Sequence, residues 1–184
     1  MFKKDLIRRK VLNIRRKKYF QVSSNFFNPL ILFLKKKYKD KPFSLSLYYP
    51  SNFEVDTLPL FDIINKKKIR TSLPVVRSHE KMNFIEWNIL DPLKVNNFGM
   101  LEPSINGRSL VPDIMLVPLV AFDKTKNRLG YGKGFYDRFL NKFLKSRKKI
   151  ITIGIAFSFQ RYKKLPKSKH DVKLNYILTE KGIE

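Results

Sequence analysis

The 184-residue chain has no cysteine and only two histidines. The first absence excludes a disulfide scaffold, thiolate zinc sites, iron–sulfur clusters and cysteine nucleophiles. The second argues against a histidine-based metal centre. Acidic residues are also scarce, 15 Asp and Glu against 39 Lys and Arg, which leaves a formal charge of +24. No run approaches the ~18 apolar residues of a membrane span. The longest uncharged stretch, Tyr19 to Leu34, is interrupted by Gln21, Ser23, Ser24, Asn25, Asn28 and Pro29. Asp5, Arg8, Arg9 and Lys10 break any signal-peptide core. A cytoplasmic protein with no membrane partner is therefore expected, although the basic N-terminus would also suit a mitochondrial presequence.

Hydrophobic residues make up 43% of the chain and aromatics 14%, enough for a core and too much for a disordered polyelectrolyte. The length suits a single domain over 1–184, expected to be a monomer. The charge has two readings. Lysine runs at 35–37, 66–68, 148–149 and 163–164, with abundant Phe, Ile and Asn, suit a coding sequence rich in A and T. A surface for nucleic acid, anionic lipid or polyphosphate would give the same excess. A basic nucleic-acid-binding domain is thus a rival reading, with no RNP, helix-turn-helix or zinc pattern behind it.

Apolar periodicity predicts a basic amphipathic helix over the first ~18 residues and a second helix from Asn25 to Leu34. Phe43–Tyr49 reads as a strand, Thr57 as the cap of a helix through 66–68, and 69–76 as a buried strand. An outer strand over 84–89, a long loop over 96–112, and one buried central strand from Asp113 to Phe122 follow. Phe135, Tyr136, Phe139, Leu140, Phe143 and Leu144 mark an amphipathic helix, and 150–159 and 175–179 are further strands. The alternation predicts an α/β domain with a mainly parallel sheet, in which ligands sit beyond the carboxyl ends of the strands.

Beyond the expected central strand lies Arg128-Leu-Gly-Tyr-Gly-Lys-Gly-Phe-Tyr-Asp-Arg138, which holds Gly130, Gly132 and Gly134 of only seven glycines. Alternate glycines let backbone N–H groups converge on an anion, and a following helix aims its positive end at the same place. Arg128 and Lys133 add full charges, and Asp137 could hold Mg²⁺ against phosphate oxygens. The pattern is neither a Walker loop nor a dinucleotide fingerprint.

Together with Val117-Pro-Leu-Val-Ala-Phe-Asp123, this segment resembles the signature of the 5-formyltetrahydrofolate cyclo-ligase family. Lys4-Asp-Leu-Ile-Arg8, Glu54-Val-Asp-Thr57, Leu73-Pro-Val-Val76, Glu102-Pro103, His170-Asp171 and Ile177-Leu-Thr-Glu180 extend the likeness, in order, over most of the chain. The resemblance implies a three-layer α/β/α fold and conversion of 5-formyltetrahydrofolate to 5,10-methenyltetrahydrofolate with ATP and Mg²⁺. It implies ATP contacts at Lys4, Arg8, Arg128, Leu129, Gly130, Tyr131, Gly132, Lys133, Gly134, Phe135 and Tyr136. Folate would meet Tyr49, Glu54, Tyr131, Gly132, Lys133, Gly134 and Phe135, and the metal Asp137 and Asp171. Arg128 and Lys133 are the expected catalytic cations. Two departures stand out: Asn175, where the family often has an aspartate, and Leu119, where glycine is common. If Asn175 marks a degraded site, a nucleotide-binding protein without catalysis is the third reading.

Overall fold

The computed structural model describes residues 2–39, 41–67, 69–77, 81–104, 106–144 and 149–184, apart from the Phe2 and Leu144 side chains; Lys68 and Lys148 of the lysine runs lie outside the described residues. In chain order the elements are α1 (Phe2–Lys18), α2 (Asn28–Tyr38), β1 (Ser44–Ser46), α3 (Leu58–Lys66), β2 (Arg70–Val76), β3 (Met82–Glu86), β4 (Leu93–Val95), β5 (Leu101–Pro103), β6 (Ile114–Pro118), β7 (Ala121–Phe122), β8 (Arg128–Leu129), α4 (Phe135–Leu144), β9 (Ile151–Ile155), β10 (Tyr176–Thr179) and β11 (Gly182–Ile183). Pro29 and Pro59 both fall in the first turn of their helices, where a missing N–H has no intrahelical partner to lose.

A seven-stranded sheet runs β11-β10-β9-β6-β1-β2-β3. The strands from β2 to β10 in that order are mutually parallel, and β3 and β11 pair antiparallel at the two edges. Alternate residues of β6 face opposite layers. Ile114 and Leu116 join Leu30 and Leu34 of α2 and Leu60, Phe61 and Ile64 of α3 in one core. Met115 and Val117 join Phe139 and Leu140 of α4 in another. Helices on both faces make a three-layer α/β/α domain. Helix α1 instead packs Ile7 and Val11 on Val120, Ala121 and Leu129, beside the carboxyl end of the sheet.

The run from Asp113 to Phe122 is not one strand. It leaves the sheet after Pro118, and β7 pairs antiparallel with β8. The Gln160 amide donates to the carbonyls of Leu119 and Val120 at 3.1 and 2.9 Å, taking the place of a neighbouring strand at the bend. Leu119 is accommodated by Gly154, where a Cβ would lie 2.7 Å from the Leu119 Cδ2. The expected loop over 96–112 contains β5, which pairs with β4. Buried Glu102 ties this hairpin to β2 by accepting from Val76 N at 3.0 Å and Asn96 Nδ2 at 2.9 Å. Thr57 precedes α3 without a side-chain cap bond; its hydroxyl donates to Tyr48 O at 2.6 Å. No described helix is long and apolar enough to cross a membrane.

Candidate active site

Chain connections leave β1 toward β2 on one side and β6 toward β9 on the other. The crevice beyond the carboxyl ends of β1 and β6 is therefore the topological switch point where open α/β sheets bind ligands. The segment after β1 carries Tyr49 and Glu54. The segment after β6 forms the β7–β8 hairpin and delivers the glycine loop. A pocket of about 500 Å³ opens there, lined by both segments, by Lys4 and Arg8 of α1, and by Asn96, Phe98 and Met100 of the β4–β5 hairpin.

Asp123 anchors the hairpin. Its carboxylate accepts from Thr125 N and Oγ1 (2.9 and 2.8 Å), Asn127 N and Nδ2 (3.1 and 2.9 Å) and Leu165 N (3.2 Å). Burial alone would raise its pKa, but these donors outweigh it and hold the group at about 2. In the loop that follows, Gly132 and Gly134 have φ of +105° and +70°, conformations that side chains with a Cβ resist. Helix α4 starts at Phe135, so the loop and a helix N-terminus face the same space. Arg8 fixes the loop from α1, its Nε donating to Gly130 O at 2.7 Å. A Cβ on Gly132 would sit 3.4 Å from the Arg8 guanidinium carbon.

Three of the site's cations, Lys4, Arg8 and Arg128, are held by carboxylates. Lys4 Nζ lies 2.5 Å from Asp171 Oδ2 and 2.8 Å from Ser168 Oγ, and Arg8 pairs with Asp5. Arg128 Nη2 is 2.8 Å from Asp137 Oδ1, a charge contact without the alignment of a hydrogen bond, since Arg128 Nε and Nη2 are buried with no hydrogen-bond partner. Those unsatisfied donors suit a ligand rich in acceptor oxygens. Burial raises the Asp171 carboxyl, but Lys4 and the Ser168 N–H more than offset it and keep it below the usual range. Lys133 Nζ stands 5.6 Å from the centre of the Phe98 ring.

Among the described residues no three His, Cys, Asp or Glu side chains gather closely enough to cage a metal. The donor set that is present suits Mg²⁺ on phosphate, which needs only one or two carboxylates beside phosphate and water oxygens. Asp137 and Asp171 could supply these; Asp137 Oδ1 accepts from Val172 N, next to Asp171, at 3.0 Å. Asn175 does not line the pocket; its Oδ1 instead accepts from Thr152 N and Oγ1 at 2.9 and 3.0 Å, joining β9 to the start of β10.

Glu54 is 6% exposed, whereas an unpaired glutamate ordinarily stays at the surface. Its Oε1 accepts from Tyr131 Oη at 2.7 Å and its Oε2 from Ser51 N at 2.9 Å. Burial pushes its pKa up, and these bonds with the nearby Arg15 charge only partly oppose that. Burial also pushes the Tyr131 and Tyr136 phenols up, so both remain protonated donors. The Tyr136 hydroxyl is buried without a partner.

The model of the 5-formyltetrahydrofolate cyclo-ligase family matches residues 3–180. The chain belongs to that family. It is 36% identical over 141 residues to the 5-formyltetrahydrofolate cyclo-ligase of Haemophilus influenzae, covering 73% of this chain and 74% of that one. The Escherichia coli K12 enzyme of the same name is 31% identical over 142 residues, 74% and 77% of the two chains. The solution structure of Aquifex aeolicus 5,10-methenyltetrahydrofolate synthetase superposes with a TM-score of 0.77 at 33% identity, covering 98% and 91%. The Mycoplasma pneumoniae synthetase gives 0.72 at 26% identity, covering 96% and 98%.

Every residue expected at the site from the sequence lines this one pocket. Leu129 is among them, with its side chain buried beside Ile7 and Val11 of α1. Sequence reasoning missed Arg15, which is 1% exposed, and the Phe98 and Met100 wall. Arg15 had a signal: Lys4, Arg8, Val11 and Arg15 share one stripe of α1 at 4-3-4 spacing. Phe98 and Met100 had none, because their hairpin is joined to the site only in three dimensions.

Proposed function

We propose that this protein catalyses the cyclisation of 5-formyltetrahydrofolate to 5,10-methenyltetrahydrofolate with ATP and Mg²⁺, releasing ADP and phosphate. The observation that carries the reading is the meeting, in one pocket at the switch point, of an anion-shaped glycine loop flanked by Arg8, Arg128 and Lys133 with a buried, hydrogen-bonded carboxylate, Glu54. The first suits a triphosphate. The second suits the amino-pyrimidine edge of a pterin, which can give two hydrogen bonds to a carboxylate.

ATP supplies the phosphoryl group that turns the formyl oxygen into a leaving group; Asp137 and Asp171 would hold Mg²⁺, which would supply positive charge to the phosphates. Folate N10 then attacks the formyl carbon, its proton is lost, and the carbon–oxygen bond breaks with departure of phosphate. No side-chain nucleophile is required, so the lack of cysteine is no obstacle. The protein's part is to hold the formyl oxygen in line with the γ-phosphorus and to meet the spreading negative charge. Gly132, Lys133 and Gly134 offer backbone N–H groups, and Arg128 and Lys133 offer positive charge. Each preorganised donor of this kind is worth ~3–4 kcal/mol in a transition state. Tyr49, Tyr131 and Phe135 provide flat surfaces for the folate rings.

The test follows the absorbance of the methenyl product with 5-formyltetrahydrofolate, ATP and Mg²⁺. Product formation that requires all three is expected. Nucleotide binding without product would leave the non-catalytic reading. Absence of both, with salt-sensitive RNA binding, would favour the nucleic-acid reading.

A further inference from the structure

Arg15, in the last turn of α1, is a buried guanidinium that takes part in none of the ion pairs among the described residues. Its hydrogen bonds go to three segments of the site. Nη2 donates to Asn52 O at 2.7 Å and to Tyr131 Oη at 2.5 Å, and Nη1 donates to Leu119 O at 3.2 Å. These are the turn leading to Glu54, the glycine loop, and the bend after β6. The guanidinium carbon also lies 5.6 Å from the centre of the Tyr131 ring.

Two consequences follow from donor chemistry and backbone geometry. A guanidinium has no acceptor and a phenol has one proton. With Arg15 donating to the Tyr131 oxygen, that proton is directed to Glu54 Oε1, 2.7 Å away. Glu54 thus receives Tyr131 on one oxygen and Ser51 N on the other, which fixes the carboxylate plane and leaves lone pairs for a ligand. Next, Asn52 and Phe53 both lie in the left-handed region, with φ of +48° and +59°. Phe53 is a bulky residue for such a conformation, which persists only where the surroundings enforce it. Arg15 grips the Asn52 carbonyl inside that turn, and Tyr19, just beyond α1, meets the Phe53 ring at 5.7 Å.

We infer that Arg15 is a positioning residue for folate recognition: through the Tyr131 hydroxyl and the Asn52–Phe53 turn it presets Glu54 for the pterin. This rests on the folate reading of the same pocket. Arg15 touches neither the reacting atoms nor, on this geometry, the phosphates. Its effect is selective for one ligand, as that of a merely structural cation would not be.

The experiment measures the Kd of 5-formyltetrahydrofolate and of ATP by calorimetry, with turnover alongside, for the full chain and for Arg15→Lys, Tyr131→Phe and the double variant. Lysine keeps the charge but loses the fork that reaches two loops at once. Each single variant should weaken folate binding about 10-fold, the size of one charge-assisted hydrogen bond, and change ATP binding less than about 3-fold. The double variant should lose less than the sum of the two singles, because the Arg15–Tyr131–Glu54 route is common to both. Unchanged folate affinity, equal losses for both ligands, or additive losses would overturn the inference. If Arg15→Lys does not fold, Tyr131→Phe, altered at a partly exposed ring, decides alone. A wild-type protein that binds folate without turnover overturns only the catalytic reading, and the same variants still decide this one. A wild-type protein that binds no folate overturns both.

Discussion

Substituting Gly132 by alanine tests whether the glycine loop grips a triphosphate through its backbone shape. The added Cβ would meet the Arg8 guanidinium carbon at 3.4 Å, an ordinary contact, so crowding contributes little. The φ of +105° decides the outcome, because an L-residue with a Cβ resists the left-handed half of backbone space by ~1–2 kcal/mol. If the free protein keeps the loop as it is, the strain appears as lost stability, a fall in Tm of about 2–8 °C for a chain of this size. If the free loop relaxes and must be reshaped by nucleotide, the strain appears as a Kd for ATP weakened roughly 5–30-fold. The two losses should sum to ~1–2 kcal/mol. Gly182→Ala is the control. Its φ is +114°, its Cβ would meet nothing within 4 Å, and it lies by the β10–β11 turn, so it should lower Tm without touching ATP affinity. Calorimetric titration and thermal melts of the three proteins measure both terms. A Gly132→Ala protein with wild-type Tm and wild-type ATP affinity would refute the backbone-cradle argument.

Lys133→Ala and Asp137→Ala should each lower kcat/KM by at least ~10²-fold, the scale of a lost transition-state donor; near-normal kinetics in both would remove those roles. Glu54 must be ionised to accept from a pterin. Because burial raises its pKa against the opposing Tyr131, Ser51 and Arg15, folate affinity should fall on the acid side at a pH above the ordinary 4.5 of a glutamate. Glu54→Gln should weaken folate far more than ATP and flatten that limb, and a limb surviving in the variant would assign it elsewhere. For Asp123 the sign is opposite. A carboxyl lowered from 3.8 to about 2 contributes ~2 kcal/mol of stability, fully present above the unfolded value and lost as pH falls through the folded one. Urea midpoints should separate wild type from Asp123→Asn at pH 7 and converge toward pH 2; a gap independent of pH would contradict this.

Layering was legible in the sequence because burial writes a period into it. The apolar positions of α4 and the near-continuous run through β6 predict helices on a parallel sheet, and the structure has both. Where the bend after Pro118 lies was not legible. It depends on Gln160, some forty residues later in sequence, capping the carbonyls of Leu119 and Val120, and no local propensity reports so distant a partner. The β4–β5 hairpin was hidden for a similar reason. Apart from buried Glu102 and Pro103, its strand residues are half-buried or exposed, so they carry weak alternation. Their order comes from Glu102 reaching Asn96 and Val76.

The site divides in the same way. Glycines at alternate positions announce a backbone function directly, so the loop was legible residue by residue. Charge alone was not, because in a chain with 39 Lys and Arg a cation stands out only by its place in a motif. What distinguishes the site's cations is their partners. Asp5, Asp137 and Asp171 hold Arg8, Arg128 and Lys4, and Tyr131 joins Arg15 to Glu54. Asp5, Asp137, Asp171 and Glu54 serve the pocket and Asp123 anchors its hairpin, which commits five of only 15 acidic residues to this one site. Lys35, Lys36, Lys37, Lys163 and Lys164 stand exposed to solvent. Salt screens exposed charges far more than partly buried, fixed ones. Salt should therefore slow the approach of anionic ligands while leaving the discrimination between folate and other anions, which depends on Glu54 and its supports, nearly unchanged.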